Sequence, residues 1–258
     1  MSELTTLGPF KFIQPKKGYR HGIDSVLLAN FVEVSANHNT LLDAGSGDGI
    51  ISIILKHKFP QLKITGIEIQ EKLYRLSIEN AKLNNLEIDF IHTNLFYIKN
   101  RFKQETFDII VCNPPYYPRK NGRLCESQEK NLARHEIFFN IDNFLKLCKY
   151  LLKHKGILFL IYPHNRFIEI LEKIKNANLH LKKIRFIHNT IDEPSNLILF
   201  EILKMNFKIP VIDKPLIIYK NKDRKIYTDE VKKYLFLEVK NDWLQKCKWA
   251  YNYFLGKR

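Results

Sequence analysis

From residue 40 onward the chain alternates short runs of β-branched and aliphatic residues with segments of helical period, and this alternation narrows its fold more than any other feature. The runs are Thr40 to Ala44, Lys63 to Ile69, Ile88 to His92, Phe107 to Cys112 and Gly156 to Tyr162, which predict five strands. Between them Ile50 to Phe59, Glu71 to Asn85 and Asp142 to Lys153 read as helices. The last sets Ile141, Phe144, Leu145, Cys148, Leu151 and Leu152 on one face at three- and four-residue spacing. Strands and helices in turn imply a parallel sheet covered on both faces. After Tyr162, a helix with Phe167, Ile170, Leu171 and Ile174 on one stripe leads to two further strands, Lys183 to His188 and Asn196 to Leu203. Their linker, Asn189 to Ser195, is short. Strands so joined should pair as a hairpin, which puts an antiparallel strand at one edge of the sheet.

Three parts are expected: a leading segment of residues 1–39, a core of 40–204 and an extension of 205–258. In the first, Gly22 to Val34 predicts a helix, with Asp24 near its N-terminus, where a carboxylate suits the unpaired amides and the dipole. Residues 117–135 lack periodicity and follow the fourth strand directly, and a loop of that length in a compact domain is usually functional. In the extension, Tyr227 to Lys257 predicts one or two helices carrying Trp243, Trp249, Tyr251, Tyr253 and Phe254.

Composition excludes several classes. The longest strongly apolar run, Ile157 to Tyr162, falls far short of the roughly 18 to 20 residues of a membrane span. The opening Met-Ser-Glu-Leu-Thr-Thr lacks the basic start and apolar stretch of a secretory signal, so a cytoplasmic protein is expected. Cys112, Cys125, Cys148 and Cys247 lie 13, 23 and 99 positions apart, and no His-x-x-x-His pair occurs, so no metal site is expected. Lys and Arg number 42 against 27 Asp and Glu, a net +15, and the last 54 residues hold 13 basic and 6 acidic side chains. That surplus suggests a polyanionic partner, since each cation laid on a phosphate releases a counterion.

Chemistry concentrates at three places. Leu41-Leu42-Asp43-Ala44-Gly45-Ser46-Gly47-Asp48-Gly49 ends the first predicted strand. Gly45, Gly47 and Gly49 permit a tight strand-to-helix turn and a close ligand approach. A dinucleotide fingerprint would place its third glycine where Ile50 stands and an apolar residue where Asp43 stands. Asp43 instead suits an ammonium group, and Glu68, ending the second strand, is placed to accept from two ribose hydroxyls. An aminoacyl-ribosyl ligand without phosphate fits both, and S-adenosylmethionine is that ligand. The third place, Asn113-Pro114-Pro115-Tyr116, follows the fourth strand with no intervening residue. An amino group conjugated to a ring or carbonyl is a poor nucleophile, and needs two acceptors aimed at its two hydrogens. The Asn113 side-chain oxygen and the Pro114 carbonyl supply them, Pro115 stiffens the backbone, and Tyr116 offers a flat face to a base.

The order and spacing of these motifs resemble those of the class I S-adenosylmethionine-dependent methyltransferases, and the Asn-Pro-Pro-Tyr tetrad is similar to that of enzymes methylating an exocyclic adenine nitrogen or a glutamine amide. More narrowly, the run from Phe12 to Ala29 (Phe-Ile-Gln-Pro-Lys-Lys-Gly-Tyr-Arg-His-Gly-Ile-Asp-Ser-Val-Leu-Leu-Ala) and Arg134-His135-Glu136 resemble the bacterial tRNA(Val) adenine-37 N6-methyltransferases over about residues 10 to 230. The resemblance implies a seven-stranded Rossmann-like sheet, mostly parallel with one antiparallel edge strand and helices on both faces. It also implies that Gln14, Tyr19, Arg20, Gly22 and Asp24 help to close the cofactor pocket. Asn94 stands where an acidic residue often bonds the cofactor's adenine ring, a bond an amide can also make, and Asn94 and Asn113 complete the cofactor-facing set.

The reaction so implied moves a methyl group from the sulfonium to adenine N6 of a tRNA, at position 37 beside the anticodon. An unpaired adenine enters such a pocket at a cost of only a few kcal/mol of lost stacking. Arg119, Lys120, Arg123 and Arg134 are candidate phosphate contacts in the long loop, and Lys220, Lys222, Arg224 and Lys225 in the extension. His92 and His135 receive no catalytic role. Three alternatives stay open: a release-factor glutamine methyltransferase, a ribosomal RNA guanine-N2 methyltransferase, and an RNA-binding module without catalysis.

Overall fold

In the computed structural model, residues 2–15, 21–115, 139–205, 209–224 and 226–236 are described. The chain opens with a hairpin, β1 (Ser2–Leu7) and β2 (Phe10–Pro15), paired antiparallel, followed by helix α1 (Ile23–Phe31). The alternating core runs β3 (Thr40–Ala44), α2 (Ile50–Lys58), β4 (Lys63–Glu68), α3 (Glu71–Leu83), β5 (Asp89–His92), β6 (Phe107–Cys112), α4 (Ile141–Leu151), β7 (Leu152–Pro163), α5 (Phe167–Asn176), β8 (His180–His188) and β9 (Ser195–Leu203). Two short strands, β10 (Val211–Ile212) and β11 (Leu216–Ile217), and helix α6 (Asp229–Tyr234) end the described chain.

The seven core strands lie in the order β5-β4-β3-β6-β7-β9-β8, and β10 and β11 both pair with β8. All neighbours are parallel except at β9, which runs antiparallel to both β7 and β8. The hairpin at that end of the sheet is present, with its antiparallel member one place in and β8 beyond it. Strand period sorts the core. Leu41, Ile109, Val111, Phe159 and Ile161 pack on one face with α1, α2 and the hairpin's Phe10 and Phe12. Leu42, Ile110, Cys112, Leu158 and Leu160 pack on the other with α4 and α5.

One boundary differs from its periodicity. The apolar spacing predicts helix through Lys153, yet α4 stops at Leu151 and β7 begins at Leu152. Leu152 pairs with Phe107 across a register shift, and the Lys153 ammonium sits 2.9 Å from Asp108 of β6. Lys153, His154 and Lys155 are therefore extended although nothing in their polarity reads as strand. Of the one or two helices expected between Tyr227 and Lys257, the described residues hold the six-residue α6, fastened by a bidentate Arg185–Glu230 pair; the aromatic residues from Trp243 onward lie outside the described residues.

The N-terminal hairpin pairs with no strand of the main sheet; besides the packing of Phe10 and Phe12, two asparagine side chains fasten its backbone. Asn84 receives the Lys11 N–H and donates to the Lys11 carbonyl, at 3.0 and 2.8 Å, and Asn80 does the same for Ile13 at 2.6 and 3.2 Å. Four residues of helix rise about 6 Å and two residues of strand about 6.6 Å, so amides four apart on α3 match alternate residues of β2. Asn80 also donates to the Asp48 carbonyl at 2.9 Å, which ties the hairpin to the glycine turn. Replacing the fully buried Asn80 with alanine orphans three backbone groups and is expected to cost about 2–4 kcal/mol, whereas Asn84→Ala, partly open to water, should cost under about 1 kcal/mol. Urea unfolding of the two variants gives the comparison, and equal losses would show that the hairpin is held some other way.

Candidate active site

Strand order reverses between β4 and β6, on the two sides of β3, and a doubly wound sheet takes its ligands outside the carboxyl ends of the strands at that point. Asp43 of β3 pairs in register with Val111 of β6, so the glycine turn after β3 and Asn113 just past β6 leave the sheet side by side, about one strand spacing apart.

The turn is built for close approach. Gly45 lies in the left-handed region at φ +83, with open space where a Cβ would stand. Gly49, at φ +87, begins α2, and a Cβ there would lie 3.1 Å from both Phe90 and Ser77. The Gly47 N–H donates to one Glu68 oxygen at 2.9 Å and the Gln70 N–H to the other at 2.8 Å. Glu68 thus braces the turn against β4, and burial pushes its carboxyl above the ordinary range against the pull of those amides.

Asp43 is fully buried. Ser52 donates to one of its oxygens at 2.6 Å, and burial, seconded by Glu68 and Asp48, pushes its carboxyl up to about 7. Five buried side-chain atoms among the described residues lack a hydrogen-bond partner, and three of them, Asp43 Oδ1, Ser46 Oγ and Asp48 Oδ1, belong to this one turn. Unsatisfied buried polar atoms so concentrated call for a polar ligand. Asp43, Asp48 and Glu68 together repel a pyrophosphate and favour a cationic one.

Two residues of this network had no role assigned from sequence. His21 Nδ1 lies 2.6 Å from Asp48 Oδ2, and its ring lies within 2.9 Å of the buried Gln14 amide. The clue was present in the sequence, a second acid inside the glycine turn with a histidine beside Gly22, but only folding the hairpin back onto α3 and the glycine turn brings the two together. Gln14 is thereby placed at the turn. The Asn94 side-chain oxygen caps the 3-10 turn Leu95–Asn100 by accepting from the Phe96 N–H at 2.9 Å.

Asp24 lies in the first turn of α1, where the sequence places it. Gly22 is the N-cap, and Asp24 accepts from the Ser25 N–H at 3.0 Å with one oxygen and from Asn113 Nδ2 at 3.1 Å with the other. Pro114 is buried and Pro115 exposed. Tyr19, Arg20, Tyr116, Arg119, Lys120, Arg123 and Arg134 lie outside the described residues. Of the extension's candidate phosphate contacts, Lys225 also lies outside the described residues, and the other three are paired. Lys220 pairs with Asp229, Lys222 with Asp192 and Arg224 with Glu193.

The sheet order, the acid ending β3 and the glycine turn define a class I methyltransferase, of the kind that depends on S-adenosylmethionine. Asp43, Ser46, Asp48 and Glu68 fit the cationic, phosphate-free character of that cofactor. The chain belongs to the methyltransferase small domain family, whose model matches residues 21–190. It is similar to a tRNA1(Val) (adenine(37)-N6)-methyltransferase from Aliivibrio salmonicida, 28% identical over 69% of this chain and 75% of that one. A Flavobacterium psychrophilum protein of the same description is 26% identical over 86% and 92%. A release factor glutamine methyltransferase from Fusobacterium nucleatum is 31% identical, but over 56% of this chain and 42% of its own. Among solved structures, a predicted O-methyltransferase from Agrobacterium tumefaciens superposes with a TM-score of 0.63 at 17% identity, over 82% of this chain and 95% of that one, which speaks to fold alone.

Among the described residues, no helix is long and apolar enough to cross a membrane and no group of three His, Cys, Asp or Glu could hold a metal ion.

Proposed function

We propose that the protein methylates N6 of an unpaired adenine in tRNA, at position 37 of a valine tRNA, in the cytoplasm. The observation that carries this reading is the register of β3 on β6, which sets Asn113 and Pro114 beside the glycine turn. The relatives matched over most of their length support the adenine substrate.

S-adenosylmethionine, when bound, supplies an electrophilic methyl group on a cationic sulfur, which leaves with the C–S electron pair. Asp43, Ser46 and Asp48 would hold its aminoacyl end, and Glu68, already braced by two amides, keeps one lone pair on each oxygen for ribose hydroxyls. Asn113 Oδ1 and the Pro114 carbonyl accept the two N6 hydrogens. They would turn the nitrogen lone pair towards the methyl donor and stabilise the positive charge that develops on that nitrogen. The alkylated nitrogen is acidic enough to lose its extra proton to water, so no side-chain base is required. Tyr116, by its place in the Asn-Pro-Pro-Tyr tetrad, is assigned the flat face for the base.

The testing experiment incubates the protein with methyl-labelled S-adenosylmethionine and, separately, unmodified tRNA, ribosomal RNA and a release factor, then digests each product. Label is expected in N6-methyladenosine from tRNA. Label in guanosine or in a glutamine would replace the substrate. The pairs Lys220–Asp229 and Lys222–Asp192 are exposed and screened by solvent, so phosphates can compete for those cations. Affinity for tRNA is accordingly expected to fall at least about tenfold between 50 and 200 mM salt, read by filter binding. A flat response would leave the charge surplus without a role in binding.

A further inference from the structure

Asn113 has to offer its oxygen to a substrate amino group, yet an amide can sit either way round. Its surroundings decide. The Nδ2 group donates to Asp24 Oδ2 at 3.1 Å and to Ser25 Oγ at 2.9 Å. An ionised carboxylate only accepts, so the branch of the amide that faces Asp24 must be the NH2; the flipped amide would set oxygen against oxygen.

We propose that Asp24 and Ser25, in the first turn of α1, are positioning residues for Asn113. They fix the amide with its oxygen turned away from α1 and towards the crevice. The Asp24 carboxylate also draws positive charge onto the N–H branch, which leaves Oδ1 more negative as the substrate nitrogen becomes cationic. This role rests on the reading of Asn113 as an acceptor for a planar NH2, but not on which molecule carries that NH2.

The geometry around Asp24 is consistent with a held carboxylate. Its other oxygen accepts the Ser25 N–H, and Ser25 is buried at 1% exposure. A Cβ on Gly22 would lie 2.5 Å from Asp24 Oδ1. Only glycine leaves the carboxylate its place. Alanine there would move the end of a flexible side chain, which scarcely disturbs folding but takes Asp24 off Asn113.

Two measurements test this. In the first, transfer is followed for D24A, G22A, N113A and D24A/N113A on whichever acceptor the wild type labels. D24A is expected to lower kcat by about 10- to 100-fold, with cofactor affinity held within about threefold, and G22A to lower it by several-fold with an unchanged unfolding midpoint. In the N113A background, D24A should cost less than about twofold, because the group it positions is gone. Equal factors in both backgrounds, or a cofactor affinity lost tenfold with kcat intact, would overturn the proposal and leave Asp24 a wall of the pocket. In the second, which needs no substrate, the Asn113 side-chain NH2 is assigned by NMR and its hydrogen exchange measured. Exchange at least about tenfold slower in the wild type than in D24A supports the proposal, and equal exchange sinks it. Should no acceptor be labelled at all, the substrate reading fails while this second result still decides the role of Asp24.

Discussion

Replacing Asn113 with alanine is expected to lower methyl transfer by about 10²- to 10³-fold while the affinity for S-adenosylmethionine changes by no more than a few-fold. The size follows from removing one preorganised acceptor from a water-poor site, where it meets charge that exists only in the transition state. The selectivity follows from position: Asn113 stands past the end of β6, whereas the buried orphan atoms that call for the cofactor belong to the turn after β3. Single-turnover rates with labelled cofactor, set beside equilibrium binding of the same variant, separate the two terms. An affinity that falls in step with the rate would make Asn113 a cofactor ligand instead.

The second large effect is at Asp43. Asp43→Asn keeps the shape and the Ser52 contact but removes the charge, and cofactor affinity is expected to drop by about 100-fold, the usual scale for truncating one partner of a buried charge pair. The pH dependence has a definite sign. Burial raises the Asp43 carboxyl to about 7 in the folded protein, above its ordinary 3.8. The free protein therefore binds a proton that the unfolded chain has lost, and its stability declines as pH rises from near 4 to near 7, then levels. A cationic ligand selects the ionised form, so affinity should climb about tenfold per unit up to pH 7 and be flat above it, with a proton released on binding below 7. Without cofactor, Asp43→Asn escapes the burial penalty and should exceed the wild type in urea midpoint at pH 8, by a margin that shrinks towards pH 4. Calorimetry in buffers of different ionisation heat, and denaturation at the two pH values, provide the check. Wild-type affinity that ignores pH would remove Asp43 from the ligand.

Most of the sheet was legible because its central strands are buried on both faces and read as short apolar runs between amphipathic helices; Phe107–Cys112 is such a run. The site was legible where chemistry is local in sequence, at Asp43 to Gly49 and at Asn113 to Pro115. What stayed hidden was set by partners distant in the chain. Lys153 to Lys155 extend because Asp108 and Phe107 wait beside them, and no period within the segment announces that. The hairpin of residues 2–15 alternates weakly, and takes its place from asparagines on α3 some seventy positions later. Asp24 sits in the first turn of α1, as the sequence places it, and accepts an amide there; its second partner, Asn113, is 89 residues away and could not be read locally.

The insertion of β9 between β7 and β8 bears on how the protein is made and how it can be cut. The segment matched by the family model stops at residue 190, before β9 begins at Ser195. A polypeptide trimmed there, or one still emerging from the ribosome at that length, carries β7 and β8 with no strand between them. Each then exposes a bare row of backbone amides and carbonyls next to apolar side chains, an invitation to clump with its own kind. Useful truncations of this enzyme must therefore keep residues through Leu203, and its nascent chain leaves both edges open until Ser195–Leu203 has been made.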